Sequence, residues 1–246
     1  MSIDQQNIHN LTALWNKYGT KSITHEGNST LLTTLGWPYR SWLEGENNLS
    51  LQISATPKSH RITSWPYPLP KANNVASISR LDENWHLEFE QTAMYLKLNE
   101  ITLPTEQQNN LDLHIVKDAV SLTQWLQISS EAFGYEMDQE VFKPLLTDCD
   151  IEIYLGYLNQ KPAVSALLYK TGNVTGLHQM GVKKAFQGQN AAKSAMYLLL
   201  ARAQQQRSEF MVLQASKMGL PLYLKLGFQA QFKLLNFHFV EENSDA

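Results

Sequence analysis

Apolar positions in the first half of the chain recur at two spacings. Between residues 4 and 18, Ile8, Leu11, Trp15 and Tyr18 fall three or four apart, the repeat of one helix face. Asp4 is placed to cap that helix and Gly19 to end it, so the stripe reads as core. From Ser22 to Pro70 the pattern loosens, and the short runs Thr30–Leu35 and Asn48–Ser54 read as strands broken by turn residues. Two similar phrases fall there, Trp37–Pro38–Tyr39–Arg40 and Trp65–Pro66–Tyr67–Pro68. Each reads as an aromatic corner that packs a loop, or as a rigid wall of an acceptor pocket. At Trp85, Leu87 and Phe89 apolar residues alternate with His86, Glu88 and Glu90, the pattern of a strand with one buried face. Ala93–Leu103 fits a continued strand or a short helix.

The polar, proline-led stretch Pro104–Asn110 has no period and marks a boundary. It separates an aromatic-rich α+β domain at residues 1–103 from a second domain at 111–246, with 104–110 as linker. Beyond it, Leu111, Leu113 and Ile115 alternate as a strand. Ser121 caps a helix that runs through Phe133, Gly134–Tyr135 breaks it, and Asp138 caps a short helix to Leu146. Strands at 150–158, 162–170 and 174–183 come next, then a helix over Ala192–Gln206 and a strand over Glu209–Ala215. A short helix from Gly219 and a strand pair at 229–240 complete an α/β (α+β) succession.

Composition narrows the classes. An apolar share of 43% suffices for real cores, and a net charge of −3 with no basic run gives no reason to expect nucleic acid. One cysteine, Cys149, excludes an internal disulfide framework, and the histidines are too scattered for a metal-ligand spacing. No apolar run approaches the roughly 18 residues of a membrane span, and the first residues lack a secretion signal, so a cytoplasmic protein with neither membrane nor metal is expected. A homodimer is left open.

The informative stretch is Gly176–Phe228. An apolar run, Leu177–Val182, leads to the small-residue loop Gln187–Gly188–Gln189–Asn190–Ala191–Ala192 at the start of a helix. Helix starts leave backbone N–H groups unpartnered and favour anions, and small side chains let a pyrophosphate reach them. Alone, the loop has one glycine and reads equally as an ordinary strand–helix corner. Tyr223, Gly227 and Phe228 follow at a later fixed spacing. The two motifs in this order resemble the GNAT-type N-acetyltransferase superfamily over about residues 111–240. The family's cofactor loop, Arg/Gln-x-x-Gly-x-Gly/Ala, maps onto Gln187, Asn190 and Ala192, and its Tyr-x-x-x-Gly-Phe onto Tyr223, Gly227 and Phe228. Asn190 stands where the family has glycine, and Ser216 where many members have asparagine.

The resemblance implies a GNAT-type fold with a mixed, splayed central sheet, and a first half that is a separate small domain or a degenerate copy of the same fold. It implies acetyl-CoA as co-substrate, with the arm paired to the backbone of Met180 and Val182. The pyrophosphate would then lie on Gln187, Gly188, Gln189, Asn190, Ala191, Ala192 and Lys193, with Ser216 close by. Lys183, Lys184 and Lys193 could add charge. It also implies an amine attacking a thioester directly, with Tyr223 as the acid at the sulfur. The base is open between His178, a lone strand histidine that reads equally as structural, and Glu131 near the end of the first helix of that domain. The acceptor, a small amine, an amino acid or a peptide, would be set by Phe133–Tyr135 and the first half. The alternative is a non-catalytic acyl-CoA binding or sensing module whose first half is an interaction surface; a third reading is transfer from an aminoacyl or other donor.

Overall fold

The N-terminal stripe folds as a helix whose cap is not the predicted one. In the computed structural model, which describes residues 1–45, 49–66, 80–104 and 110–241, α1 spans Ile3–Lys17. The Ser2 hydroxyl accepts from Gln5 N while the Gln5 side chain accepts from Ser2 N, a capping box that displaces Asp4 from the role. Asp4 accepts from Gln231 Nε2 instead.

Strands β1 (Thr20–Glu26), β2 (Ser29–Thr34) and β3 (Arg40–Gly45) form an antiparallel meander. The predicted strand at Asn48–Ser54 is a helix, α2 (Leu49–Ala55), with Asn48 itself outside the described residues. Apolar residues at 49, 51 and 53 mimic a period of two. Leu51 and Ala55, four apart, pack together against Leu31 and Leu43, whereas Ile53 joins a different cluster. Strand β4 (Arg61–Ser64) then pairs parallel to β3. Tyr67 and Pro68 of the second Trp-Pro phrase lie outside the described residues, as do residues 105–109 of the predicted linker.

Strand β5 runs unbroken from Trp85 to Lys97 and ends in a tight turn at Leu98–Glu100, which settles the ambiguity at Ala93–Leu103. Its pairing with the last strand slips at Glu88, between Asn236↔Phe89 and Phe237↔Leu87. The extra residue turns Phe89 to the opposite face from Trp85, which is why Trp85 is buried and Phe89 is 36% exposed.

After β6 (Leu111–Ile115) comes α3 (Ala119–Phe133), capped by Asp118, whose carboxylate accepts from Ser121 N; Ser121 sits three residues inside the helix it was expected to cap. Helix α4 (Gln139–Phe142), β7 (Ile151–Leu158), β8 (Lys161–Thr171), β9 (Val174–Val182), α5 (Ala191–Gln205), β10 (Phe210–Ala215) and α6 (Leu220–Lys225) follow as expected. The predicted final pair is one strand, β11 (Gln229–Phe239), whose partners are β4 and β5 from the first half.

All the strands among the described residues join one eleven-stranded sheet in the order β1-β2-β3-β4-β11-β5-β10-β9-β8-β7-β6. Strand β5 lies between β10 and β11, so the sheet runs continuously across residues 104–110. One face carries α1, α3 and α4 over a core of Leu14, Trp15, Trp42, Ala93, Trp125, Phe142 and Leu234. The other carries α5 and α6 over Met94, Leu168, Leu177, Met196, Leu199, Met211 and Phe228. Among the described residues, no helix is long and apolar enough to cross a membrane.

Candidate active site

The middle of the sheet is open. Strands β9 and β10 are parallel but pair over only Val174–Gly176 and Phe210–Val212. From Leu177 and Leu213 onward they part, and β9 bends at Gln179 (φ 49), where its register with β8 slips. Beyond that point β9 keeps β8 on one side, while its other edge, including the backbone of Met180 and Val182, has no strand partner among the described residues. An extended chain could add itself to that edge as a strand would.

Helix α5 starts beside this opening. Asn190 precedes it in the left-handed region (φ 60), after Gly188 at φ 77, and no side chain caps the first turn. Asn tolerates that backbone where most residues would not, so it can stand at a glycine position. The first helical bond to cross this turn is from Ser194 N to Asn190 O, which leaves the amides of Ala191, Ala192 and Lys193 without helix partners. A side-chain carbon built on Gly188 would meet nothing within 4 Å. Gln187 Nε2 reaches back to Val182 O at 3.3 Å, and Gln189 Nε2 donates to Ala185 O, so both amides shape the loop. The arrangement fits a diphosphate: small side chains, open surroundings and convergent N–H donors at a helix start. Lys193 lies over the Tyr197 ring.

Below the opening, Tyr223 of α6 shares a core with Leu177, Met196, Phe228 and the side chain of Met180. Its ring is buried at 8% exposure and sits 5.6 Å from that of Phe228, whose N–H donates to Tyr223 O. Burial raises its pKa well above the usual phenol value, so it stays protonated and available as a donor. Its hydroxyl has no partner among the described residues. Ser216, at the mouth of β10, accepts from Gly219 N through its hydroxyl in the turn that leads into α6.

Of the two candidate bases, His178 is not free to act. Asn10 of α1 donates from Nδ2 to Tyr169 O and Thr171 Oγ1, which leaves its Oδ1 to accept from His178 Nε2 at 2.9 Å. His178 is thus a neutral donor buried under α1, and burial pushes its pKa down to about 3. A group that weak does not hold an amine's proton near neutrality, so the base role is withdrawn for His178. Glu131 Oε1 accepts from Lys184 N, tying α3 to the loop after β9.

Gly181 sets the other wall. A side-chain carbon there would lie 2.7 Å from Ala132 Cβ and 2.9 Å from Ser165 Oγ, so only glycine lets the end of α3 rest on β9. Phe133, the last residue of α3, and Tyr135, just beyond it, stack at 6.0 Å, and Tyr135 faces Trp37 of the first Trp-Pro phrase at 6.4 Å. The phrase and the α3–α4 loop therefore meet, and Trp37 is also packed on Tyr18 and Phe142. Sequence reasoning singled out this phrase for its rings; what it missed was Arg40, whose guanidinium lies over the Trp15 and Phe89 rings. Its signal was a cation within an apolar phrase.

Residues 107–239 match the family model for the acetyltransferase (GNAT) domain. The chain belongs to the GNAT acetyltransferase family. Its fold and family are those of an acyltransferase. A GCN5-related N-acetyltransferase from Kribbella flavida is similar in structure at a TM-score of 0.69 and 11% identity, covering 98% of this chain and 96% of that one. A GCN5-related N-acetyltransferase from Sphaerobacter thermophilus (TM-score 0.61, 10% identity) covers 90% of this chain and 79% of its own. A GNAT-family protein from Novosphingobium aromaticivorans described as a putative acetyltransferase (0.58, 10%) covers 89% and 91%. At such identities the likeness is one of fold, and it extends over the first half as well as the matched region. No curated protein matches this chain in sequence.

Proposed function

We propose that this GNAT protein transfers the acetyl group of acetyl-CoA to a primary amine of a small molecule, amino acid or peptide. The observation that carries the reading is the gap between β9 and β10, with unpartnered amides of α5 at one end and a protonated Tyr223 below it. Bound there, acetyl-CoA supplies an activated thioester. The amides of Ala191, Ala192 and Lys193, with Gly188 and Asn190 shaping the loop, hold its diphosphate. The free edge of Met180 and Val182 aligns its arm, and an N–H of that edge faces the charge that develops on the carbonyl oxygen. The amine attacks the carbonyl carbon, the carbon–sulfur bond breaks, and the Tyr223 phenol donates to the departing sulfur. With His178 locked to Asn10, the amine's proton goes to solvent.

The test is release of free thiol from acetyl-CoA with a panel of amines, repeated with Tyr223→Phe. The variant is expected to lose about 100-fold in kcat, as for a general acid, and to keep its thermal stabilisation by CoA. The locked histidine also favours a second reading, a module that binds acyl-CoA without turnover. Stabilisation by CoA with no thiol release from any amine would establish that reading, and no stabilisation would point to another donor.

A further inference from the structure

Arg40, at the start of β3, is a cation with three of its five donors unspent. Its Nη1 donates to Thr63 Oγ1 at 2.8 Å and to Asn236 Oδ1 at 2.5 Å, and the guanidinium lies 5.5 Å from the Trp15 ring and 5.9 Å from the Phe89 ring. Those two bonds use both Nη1 hydrogens. The other three of a guanidinium's five N–H groups, on Nε and Nη2, form the edge that matches a carboxylate in two parallel bonds. They have no hydrogen-bond partner among the described residues, and neither nitrogen is sealed from solvent.

Nor does a carboxylate among the described residues pair with the group. Glu88, which attracts Arg40, is already held by both its oxygens on Arg61 Nε and Nη2. Two guanidiniums and one carboxylate leave one positive charge in excess among them, beside the Trp15 and Phe89 rings. The geometry is fixed rather than incidental. The Thr63 hydroxyl donates to Asn236 Oδ1, Asn236 Nδ2 lies 3.4 Å from Gln91 Oε1, and Gln91 Nε2 donates to Gln214 O on the open end of β10. Arg40 is therefore held by a chain of polar contacts that leads to the gap itself. On the other side, the Tyr135 hydroxyl is near enough to Arg40 and Arg61 to feel both charges.

We propose that the free edge of Arg40 binds the carboxylate of the acceptor, so that the amine presented to the β9–β10 gap belongs to an amino acid or another carboxylate-bearing amine. The inference rests on the acyl-transfer reading above and names the substrate class for that same site. Arg40 is a specificity residue in it, with Thr63 and Asn236 as positioning residues.

The experiment uses the full chain, acetyl-CoA and matched sets of amines: an α-amino acid, its carboxamide and its decarboxylated amine, over several side chains. The carboxylate member is expected to have a kcat/KM about 100-fold above its two analogues, the size of a lost charged hydrogen-bond pair. In Arg40→Met that preference should fall below about tenfold, with the loss mainly in KM, and Arg40→Lys, lacking the fork, should restore only part of it. Should Arg40→Met fail to fold, Asn236→Asp puts a carboxylate of the chain itself against Nη1 and should erase the preference in the same way. Equal kcat/KM across each set, or a preference undiminished in these variants, overturns the Arg40 assignment and leaves acyl transfer standing. Absence of turnover with every amine overturns both.

Discussion

His178 shows how one contact decides between two roles that a sequence cannot separate. A strand histidine near a cofactor gap is equally a base or a packed ring, and the deciding atom, Asn10 Oδ1, is 168 positions away. The contact has a measurable consequence. The folded protein holds His178 neutral down to about pH 3, whereas the unfolded chain protonates it near its ordinary value of 6.5. Between those values the unfolded state binds more protons, so stability is fully present above about pH 6.5 and is lost as the pH falls. From pH 7 to pH 5 the loss should be roughly 2 kcal/mol. Denaturant unfolding of wild type and His178→Asn at both pH values checks this, and an identical pH dependence in the two proteins would refute it. Tyr223 behaves oppositely: its place at a helix end was legible from Gly227 and Phe228 behind it, because the motif records a local turn, Phe228 N–H on Tyr223 O, that needs no distant partner.

At the level of elements, legibility follows the source of the stabilising contacts. Strands β7 to β9 and helix α5 carry their own period and are readable in place. Helix α2 is not, since only Leu31 and Leu43 decide that Leu51 and Ala55 share a side. Phe89 was assigned to the wrong face because the slip at Glu88 depends on β11, far along the chain. The loop before α5 was legible as a helix start from its small residues, yet Gly188 and Asn190 gain meaning only from their left-handed backbone. Asn190→Asp keeps a residue that accepts this conformation and is a good helix cap, but adds a negative charge at the helix start. Its melting temperature should therefore hold or rise while CoA affinity falls about tenfold, the cost of a like charge near the diphosphate. Calorimetric titration with CoA measures this, and unchanged affinity would remove the loop from the binding site.

For the whole molecule, the class of fold and the family resemblance were readable from the second half, whereas the sheet's continuity was not. Nothing in the pattern of Trp85–Lys97 announces that β5 separates β10 from β11, since strand order is set by contacts between distant segments. That order yields a direct expectation. A fragment starting at residue 110 lacks the strand that pairs with both β10 and β11, and its exposed Met211, Leu213 and Leu234 have no cover from Ala93 and Met94. It should be soluble only with difficulty and show no cooperative thermal transition by circular dichroism, while the full chain melts as one unit. A sharp transition in the fragment would mean that the second half folds without β5.

The position of β11, seated between β4 and β5, also fixes when the protein can finish folding as it is made. Until the ribosome has released Gln229–Phe239, β4 and one side of β5 keep raw hydrogen-bonding edges, so a nascent chain must be shielded until β11 emerges. Messages cut short anywhere upstream would give products that cannot close, and the cell's proteases would find them by that open edge.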